Sequence, residues 1–186
     1  MENIQFGLAD QKGDMEQILQ LQRANLSANI SDTERQQEGF VTAVHDLNLL
    51  AEMNHPYPHI VARHEGQIIG YTLVMLQKMS DRLPVLFSMF ETIEQQSFQD
   101  KPLPAQRWFV MGQVCIAKDF RGQGLFLGLY QKLKEQMAPH FDMVITEVSI
   151  NNPRSIRAHE KVGFKNIKEY ATDDGEQWVI LLWDWT

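Results

Sequence analysis

Two stretches of this chain hold residues whose types and spacing could do chemistry. The first, Gln113-Val-Cys-Ile-Ala-Lys-Asp-Phe-Arg-Gly-Gln-Gly-Leu-Phe126, reads as a buried strand, a tight basic glycine turn and the first turn of an amphipathic helix. A helix N-terminus preceded by glycines offers unpaired backbone N–H groups and the positive end of the macrodipole, so this turn is suited to holding a phosphate. Arg121-Gly-Gln-Gly-Leu-Phe126 lacks the Gly-Lys-Ser/Thr ending of a P-loop and the three glycines of a dinucleotide fingerprint. The second stretch is Asn152-Pro-Arg-Ser-Ile-Arg-Ala-His-Glu-Lys-Val-Gly-Phe164. Asn is a favoured N-cap, Pro is favoured at the first helical position, and the residue before Pro prefers extended dihedrals, so a helix opens here. At about 100° per residue, Asn152, Ser155, Ile156 and His159 share one arc, while Arg154, Arg157 and Lys161 lie elsewhere.

Other reactive side chains carry less. Cys115, the sole cysteine, sits in a buried strand without a Cys-His-Asn pattern, and reads as a small core residue. The six histidines show no spacing that specifies a metal site, His55 and His59 included, and no metal is expected.

The elements that must position these groups follow from periodicity. Ile4, Phe6 and Leu8 alternate as a half-buried strand, and Asp14 is a plausible N-cap for a helix to about Ala28. On its inward arc Gln22 and Asn25 join Met15, Ile18, Leu19 and Leu26. Residues 30–39 read as a polar loop, and a second helix is expected from Phe40 to Met53, before the Asn54-His-Pro-Tyr-Pro58 breaker. His59–Arg63 and Gln67–Met75 form a hairpin, and Lys78–Gln106 is less regular, with Leu86, Met89, Phe90 and Ile93 on one helical face. Arg107–Ile116 is a central strand, and the helix after the glycine turn buries Leu125, Phe126, Leu129, Tyr130, Leu133 and Met137. Strands at Phe141–Ile150, Asn166–Thr172 and Trp178–Trp185 complete a mixed α/β class with hairpins and a parallel crossover. At 186 residues without repeats or a linker, the expectation is one domain over 1–186.

A formal charge of −7 argues against nucleic-acid binding and fits a cationic partner only weakly, since solubility explains it as well. No signal peptide or membrane-length apolar run is visible, so no membrane partner is expected and the default compartment is the cytoplasm.

Together the two stretches resemble the GNAT superfamily of acetyl-CoA-dependent N-acetyltransferases. Arg121 and Gly124 match its pyrophosphate motif, Gln/Arg-x-x-Gly-x-Gly/Ala, and Asn152, Ser155 and Glu160-Lys-Val-Gly-Phe164 match a later one. The order of strands and helices is similar to the family's across nearly the whole chain. The resemblance implies a mostly antiparallel sheet with a splayed parallel strand pair and flanking helices. It implies acetyl-CoA as cosubstrate, with main-chain groups of Val114 and Ile116 on the pantetheine arm. Amides of Arg121, Gly122, Gln123, Gly124, Leu125 and Phe126 would cradle the pyrophosphate, with Asn152 opposite and Ser155 beside it. A backbone N–H near Val114 or Cys115 would polarise the acetyl carbonyl.

Two departures matter. Position 126 is Phe where the motif wants Gly or Ala, and position 159 is His where many members carry an acidic Tyr. His159, expected on the cofactor side, could protonate the leaving thiolate or take a proton from the amine; a buried, hydrogen-bonded histidine is the equal alternative. Glu147 is the best-placed candidate base and Glu91 a second. The expected function is acetyl transfer to a primary amine in a ternary complex, on a small-molecule or peptide acceptor; the alternative is a non-catalytic acyl-CoA-binding or sensing module, or a protein-interaction domain with a degenerate cradle. A homodimer is left open.

Overall fold

The computed structural model describes residues 4–29, 31, 40–83 and 86–186. Ile4–Leu8 (β1) leads into Asp14–Ala24 (α1), and Leu47–Met53 (α2) precedes the hairpin of Ile60–His64 (β2) and Gln67–Met75 (β3). Phe87–Glu94 (α3) and a two-strand ribbon, Ser97–Phe98 (β4) with Lys101–Pro102 (β5), come before the long strand Trp108–Ile116 (β6). Leu125–Met137 (α4), Met143–Ser149 (β7), Pro153–Val162 (α5), Lys165–Ala171 (β8) and Gln177–Asp184 (β9) complete the order.

Seven strands form one sheet in the order β1-β2-β3-β6-β7-β9-β8, antiparallel throughout except for the β6–β7 pair. This is the mixed, mostly antiparallel architecture expected from the sequence. Two apolar layers cover its faces. Ile18, Leu50, Met89 and Ile93 of α1 to α3 pack on one face, and Leu125, Leu129, Tyr130 and Leu133 of α4 pack on the other. Fully burying each such side chain contributes about 1.5–3 kcal/mol. The chain turns from β2 to β3 over Glu65 (φ 50°) and Gly66 (φ 79°), both in the left-handed region that a two-residue hairpin needs.

Two boundaries differ from the sequence reading. α1 ends at Ala24, and its N-cap position is Gly13; Asp14 instead accepts from the Gln11 amide and forms a buried ion pair with Arg63 at 2.6 Å. The helix expected from Phe40 begins only at Leu47, where Asp46 accepts from the Leu49 N–H at 2.8 Å. From Phe40 to His45 the chain is a strap. Its Val41 N–H bonds Asn25 O at 3.2 Å and its His45 N–H bonds Gln22 Oε1 at 3.0 Å, so α1 satisfies donors that a helix would have satisfied itself. The loop expected at 30–39 lies outside the described residues apart from Ser31. Among the described residues no helix is long and apolar enough to cross a membrane.

Candidate functional site

The site is built around a gap in the sheet. β6 and β7 pair only at Trp108–Val110 with Met143–Ile145. Beyond that point Thr146 Oγ1 donates to Met111 O at 3.0 Å, and the ladder stops. Both strands run on because their outer edges stay paired, β6 to β3 as far as Ile116 and β7 to β9 as far as Ser149. The opposed inner edges therefore carry main-chain groups without a strand partner.

The register says which groups those are. Ala117 N–H bonds Ile69 O at 2.8 Å, so by alternation Ala117, Cys115 and Gln113 aim their main chain at β3. Val114 and Ile116 aim theirs into the gap, as expected. Cys115 does not: its amide faces β3, which leaves Val114 as the donor of the two. The Cys115 side chain is buried in the core, and burial pushes its pKa up to about 12, which makes it a poor nucleophile. Ile116 O is already engaged by Arg121 Nε at 3.2 Å.

The glycine turn is a cradle. Gly122 (φ 73°) and Gly124 (φ 82°) hold left-handed conformations, and a Cβ at either would meet nothing within 4 Å, so glycine is there for its dihedrals. The first helical hydrogen bond of α4 is Gly128 N–H to Gly124 O at 3.1 Å. Gly122, Gln123, Gly124, Leu125, Phe126 and Leu127 consequently keep their amides unpaired among the described residues. Arg121 differs from the expectation: its N–H goes to Lys118 O at 3.3 Å, and its guanidinium also reaches Asn25 Oδ1. It braces the turn instead of offering an amide.

Across from the cradle stands α5. Asn152 caps it by accepting from Ser155 N–H at 3.3 Å, and Asn152 Nδ2 donates to Phe40 O at 3.2 Å. Between the two walls lies a chamber of about 590 Å³. Arg121, Arg154, Arg157 and Lys161 all line it, and among the described residues no carboxylate does. In a chain of net charge −7 this is a concentrated cationic surface facing a helix N-terminus. The helical projection had set Arg154, Arg157 and Lys161 apart from the cofactor side. Their own spacing, three and then four residues apart, was the available signal for one wall.

His159 does not line this chamber; it is among the residues lining a smaller one beside it. It is 1% exposed, its Nδ1 contacts Ser155 O at 2.7 Å, and its Nε2 contacts Tyr130 Oη at 2.6 Å. A carbonyl only accepts, so Nδ1 carries the proton and Nε2 receives the Tyr130 hydroxyl. Burial lowers its pKa to about 4, and the ring is neutral. Phe126 stands edge-on to it, centroids 5.0 Å apart, and also packs on Tyr130 at 5.0 Å. The two departures from the family pattern are thus one packed cluster. Between the two readings of His159, this geometry favours the hydrogen-bonded core histidine, since neither ring nitrogen is left to exchange a proton.

Glu147 lies on the other face of β7, where it lines a second chamber of about 140 Å³. Tyr170 Oη donates to its Oε2 at 2.5 Å, while Oε1 takes no hydrogen bond among the described residues. Burial raises its pKa to about 7, against a smaller lowering by Tyr170. Glu91 is exposed on α3, away from both chambers. His59 is buried and satisfied, bonding Leu50 O at 3.2 Å and accepting from Val74 N–H at 3.0 Å. The two chambers share Phe40, Val41, Val114, Asn152 and Ser155, so they meet at the gap.

A family model described as the acetyltransferase (GNAT) family matches residues 16–164. No curated protein sequence matches the chain. Among solved structures the chain is similar to the ribosomal-protein-S18-alanine N-acetyltransferase from Escherichia coli, with 14% identity and a TM-score of 0.63 over 98% of this chain and 94% of that one. It is similar to a chain of the NatC complex bound to Gag peptide and CoA, with 13% identity and a TM-score of 0.66 over 99% of each. It is also similar to yncA from Salmonella typhimurium with its cofactor acetyl-CoA, with 14% identity and a TM-score of 0.64 over 100% of this chain and 95% of that one. These likenesses concern the fold.

Proposed function

We propose, from the premise that this chain belongs to the acetyltransferase (GNAT) family, that it transfers an acetyl group from acetyl-CoA to a primary amine by direct transfer. The observation that carries this reading is the gap between β6 and β7, which joins a cationic, amide-lined chamber to one holding a carboxylate. The residues present fit the cosubstrate. Unpaired amides from Gly122 to Leu127 would hold the pyrophosphate, and Arg154, Arg157 and Lys161 supply charge for its phosphates. The inward main chain of Val114, with the Ile116 N–H, would hold the pantetheine arm as a strand edge holds a strand. Asn152 and Ser155 flank the point where the chambers meet. Acetyl-CoA supplies the acetyl group as an activated thioester.

The amine arrives as an ammonium and must lose a proton before it attacks. Glu147 is suited to accept it, because its raised pKa puts it near the operating pH and its Oε1 is open. The N–C bond then forms, the C–S bond breaks, and the second amine proton leaves as the sulfur departs and is protonated. We assign no proton transfer to His159. The Val114 N–H is the candidate donor to the carbonyl oxygen. The test is thiol release from acetyl-CoA with an amine panel, paired with a thermal-shift titration of acetyl-CoA. An absent shift at saturating cosubstrate sinks the reading.

A second reading, an acyl-CoA-binding or sensing module, is favoured by one observation: the position of the family's tyrosine acid holds a sealed histidine. It predicts the thermal shift without thiol release.

A further inference from the structure

The smaller chamber has a chemistry of its own, and the inference drawn from it rests on the acetyl-transfer reading above. Its walls are Met75, Leu86, Met89, Met111 and Trp178, with Glu147 facing in. Among the described residues lining it, no lysine or arginine occurs, and Glu147 is the one carboxylate. The other polar groups are largely committed. Gln113 accepts from Tyr71 at 2.6 Å and Gln22 at 2.9 Å and donates to Ala43 O at 2.8 Å. Thr146 donates to Met111 O and Asn152 to Phe40 O. Thr42, Ser155 and His159 line it as well, His159 with both ring nitrogens engaged, and among the described residues Glu147 Oε1 is the anionic atom there without a hydrogen bond.

Volume narrows the body that accompanies that group. At about 140 Å³ the chamber is close to an apolar cavity of about 150 Å³ known to hold one benzene. Methionine walls suit an aromatic or branched body, because thioethers are pliable and make favourable contacts with ring edges. We infer that the acceptor is a primary monoamine on a compact, uncharged, apolar body about the size of one aromatic ring, its nitrogen directed to Glu147. A free carboxylate on the acceptor would enter without a cation to meet it and beside a like charge. A second ammonium, as in a polyamine, would find no second carboxylate among the described residues lining the chamber. A peptide N-terminus would bring amides that the walls leave unpaired.

The test compares 2-phenylethylamine and 3-methylbutylamine with phenylalanine, spermidine and a tetrapeptide bearing a free N-terminus, using thiol release and product mass. The expected result is a kcat/KM at least about 100-fold higher for the two monoamines, the scale on which a site rejects groups it cannot pair. Equal or better turnover of phenylalanine, spermidine or the peptide would overturn the inference while leaving acetyl transfer intact. A thermal shift with acetyl-CoA but no turnover of either monoamine would also overturn it. No shift at all would remove the acetyl-transfer reading and this inference with it. Met89→Ala and, separately, Leu86→Ala enlarge the chamber, and at least one should raise the preference for a naphthyl-ethylamine over 2-phenylethylamine by about 10-fold. An unchanged ratio in two folded variants would show that the body does not occupy this chamber.

Discussion

His159 and Glu147 flank the same splayed strand on opposite faces of the sheet, and they differ in what burial has done to them. His159 is neutral and has both nitrogens occupied, by Ser155 O and Tyr130 Oη. Glu147 has one oxygen occupied by Tyr170 and the other open to a chamber. Side-chain type favours histidine as the acid–base group at neutral pH. The environment reverses that order, moving the histidine down to about 4 and the carboxyl up to about 7. An ionisable group is available for chemistry when it keeps an uncommitted lone pair and a route to substrate, and a suitable intrinsic pKa cannot substitute for either.

The largest effect expected from this contrast is on turnover. Glu147→Gln should lower kcat about 100-fold or more, with a smaller change in acetyl-CoA affinity, measured by steady-state kinetics and titration. The same substitution should stabilise the fold at pH 8. A carboxyl with a folded pKa of about 7 and a reference value of 4.5 withdraws stability as pH rises through that interval. Fully ionised it costs about 3 kcal/mol, which glutamine avoids. A variant that loses turnover and melts higher at pH 8, but not at pH 5, separates a functional carboxylate from a structural one. If Glu147→Gln instead keeps its turnover, the comparison breaks on its active side.

His159→Ala should do the converse. It orphans the Tyr130 hydroxyl and opens a hole in the core, at a cost of about 2–4 kcal/mol in denaturant unfolding. Turnover per folded molecule should change less than about threefold. A loss of 100-fold in well-folded protein would break the comparison on its inert side.

A third expectation concerns acid. His45, His59 and His159 are buried neutral, with pKa values lowered by burial to about 4, 3 and 4. Each is protonated more readily in the unfolded chain, so its contribution is complete above pH 6.5 and is lost as pH falls from 6.5 to about 4, or about 3 for His59. Urea midpoints should therefore drop across that acid range, and His159→Ala should show a shallower drop than the parent. The smallest effect expected is at the cradle. Gly124→Ala forces a left-handed φ of 82° on a residue with a Cβ, costing about 1–2 kcal/mol without any steric clash. Acetyl-CoA should bind more weakly by titration, while His159 and Glu147 keep their environments.

These contrasts also mark what could be read from the chain alone. The seven strands of the large sheet, α4, and α5 with its Asn152 cap were legible because period and capping chemistry are local, whereas the short β4–β5 ribbon was not read. The main-chain role expected of Val114 and Ile116 came from the family resemblance and not from a local pattern. The strap was not legible: Phe40 to Asp46 carries a helical-looking pattern, but Gln22 on α1 and Asn25 just past its end take its donors. Nor was the state of His159, which depends on Tyr130, 29 residues away, and on a Phe126 ring that the family pattern does not contain. Tyr170, which holds Glu147, sits 23 residues on in β8, across β9 from β7, and no motif announces it.

The strap has a further consequence. Phe40 and Val41 belong to the walls of both chambers, and they are tied to α5 through Asn152 and to α1 through Asn25. Whatever displaces them on one side reshapes the other. Occupancy of the two chambers is then a linked equilibrium, and linkage is reciprocal: the factor by which cosubstrate alters amine affinity equals the factor by which amine alters cosubstrate affinity. The strap's part in that shared wall gives this protein a physical basis for order in what it binds first.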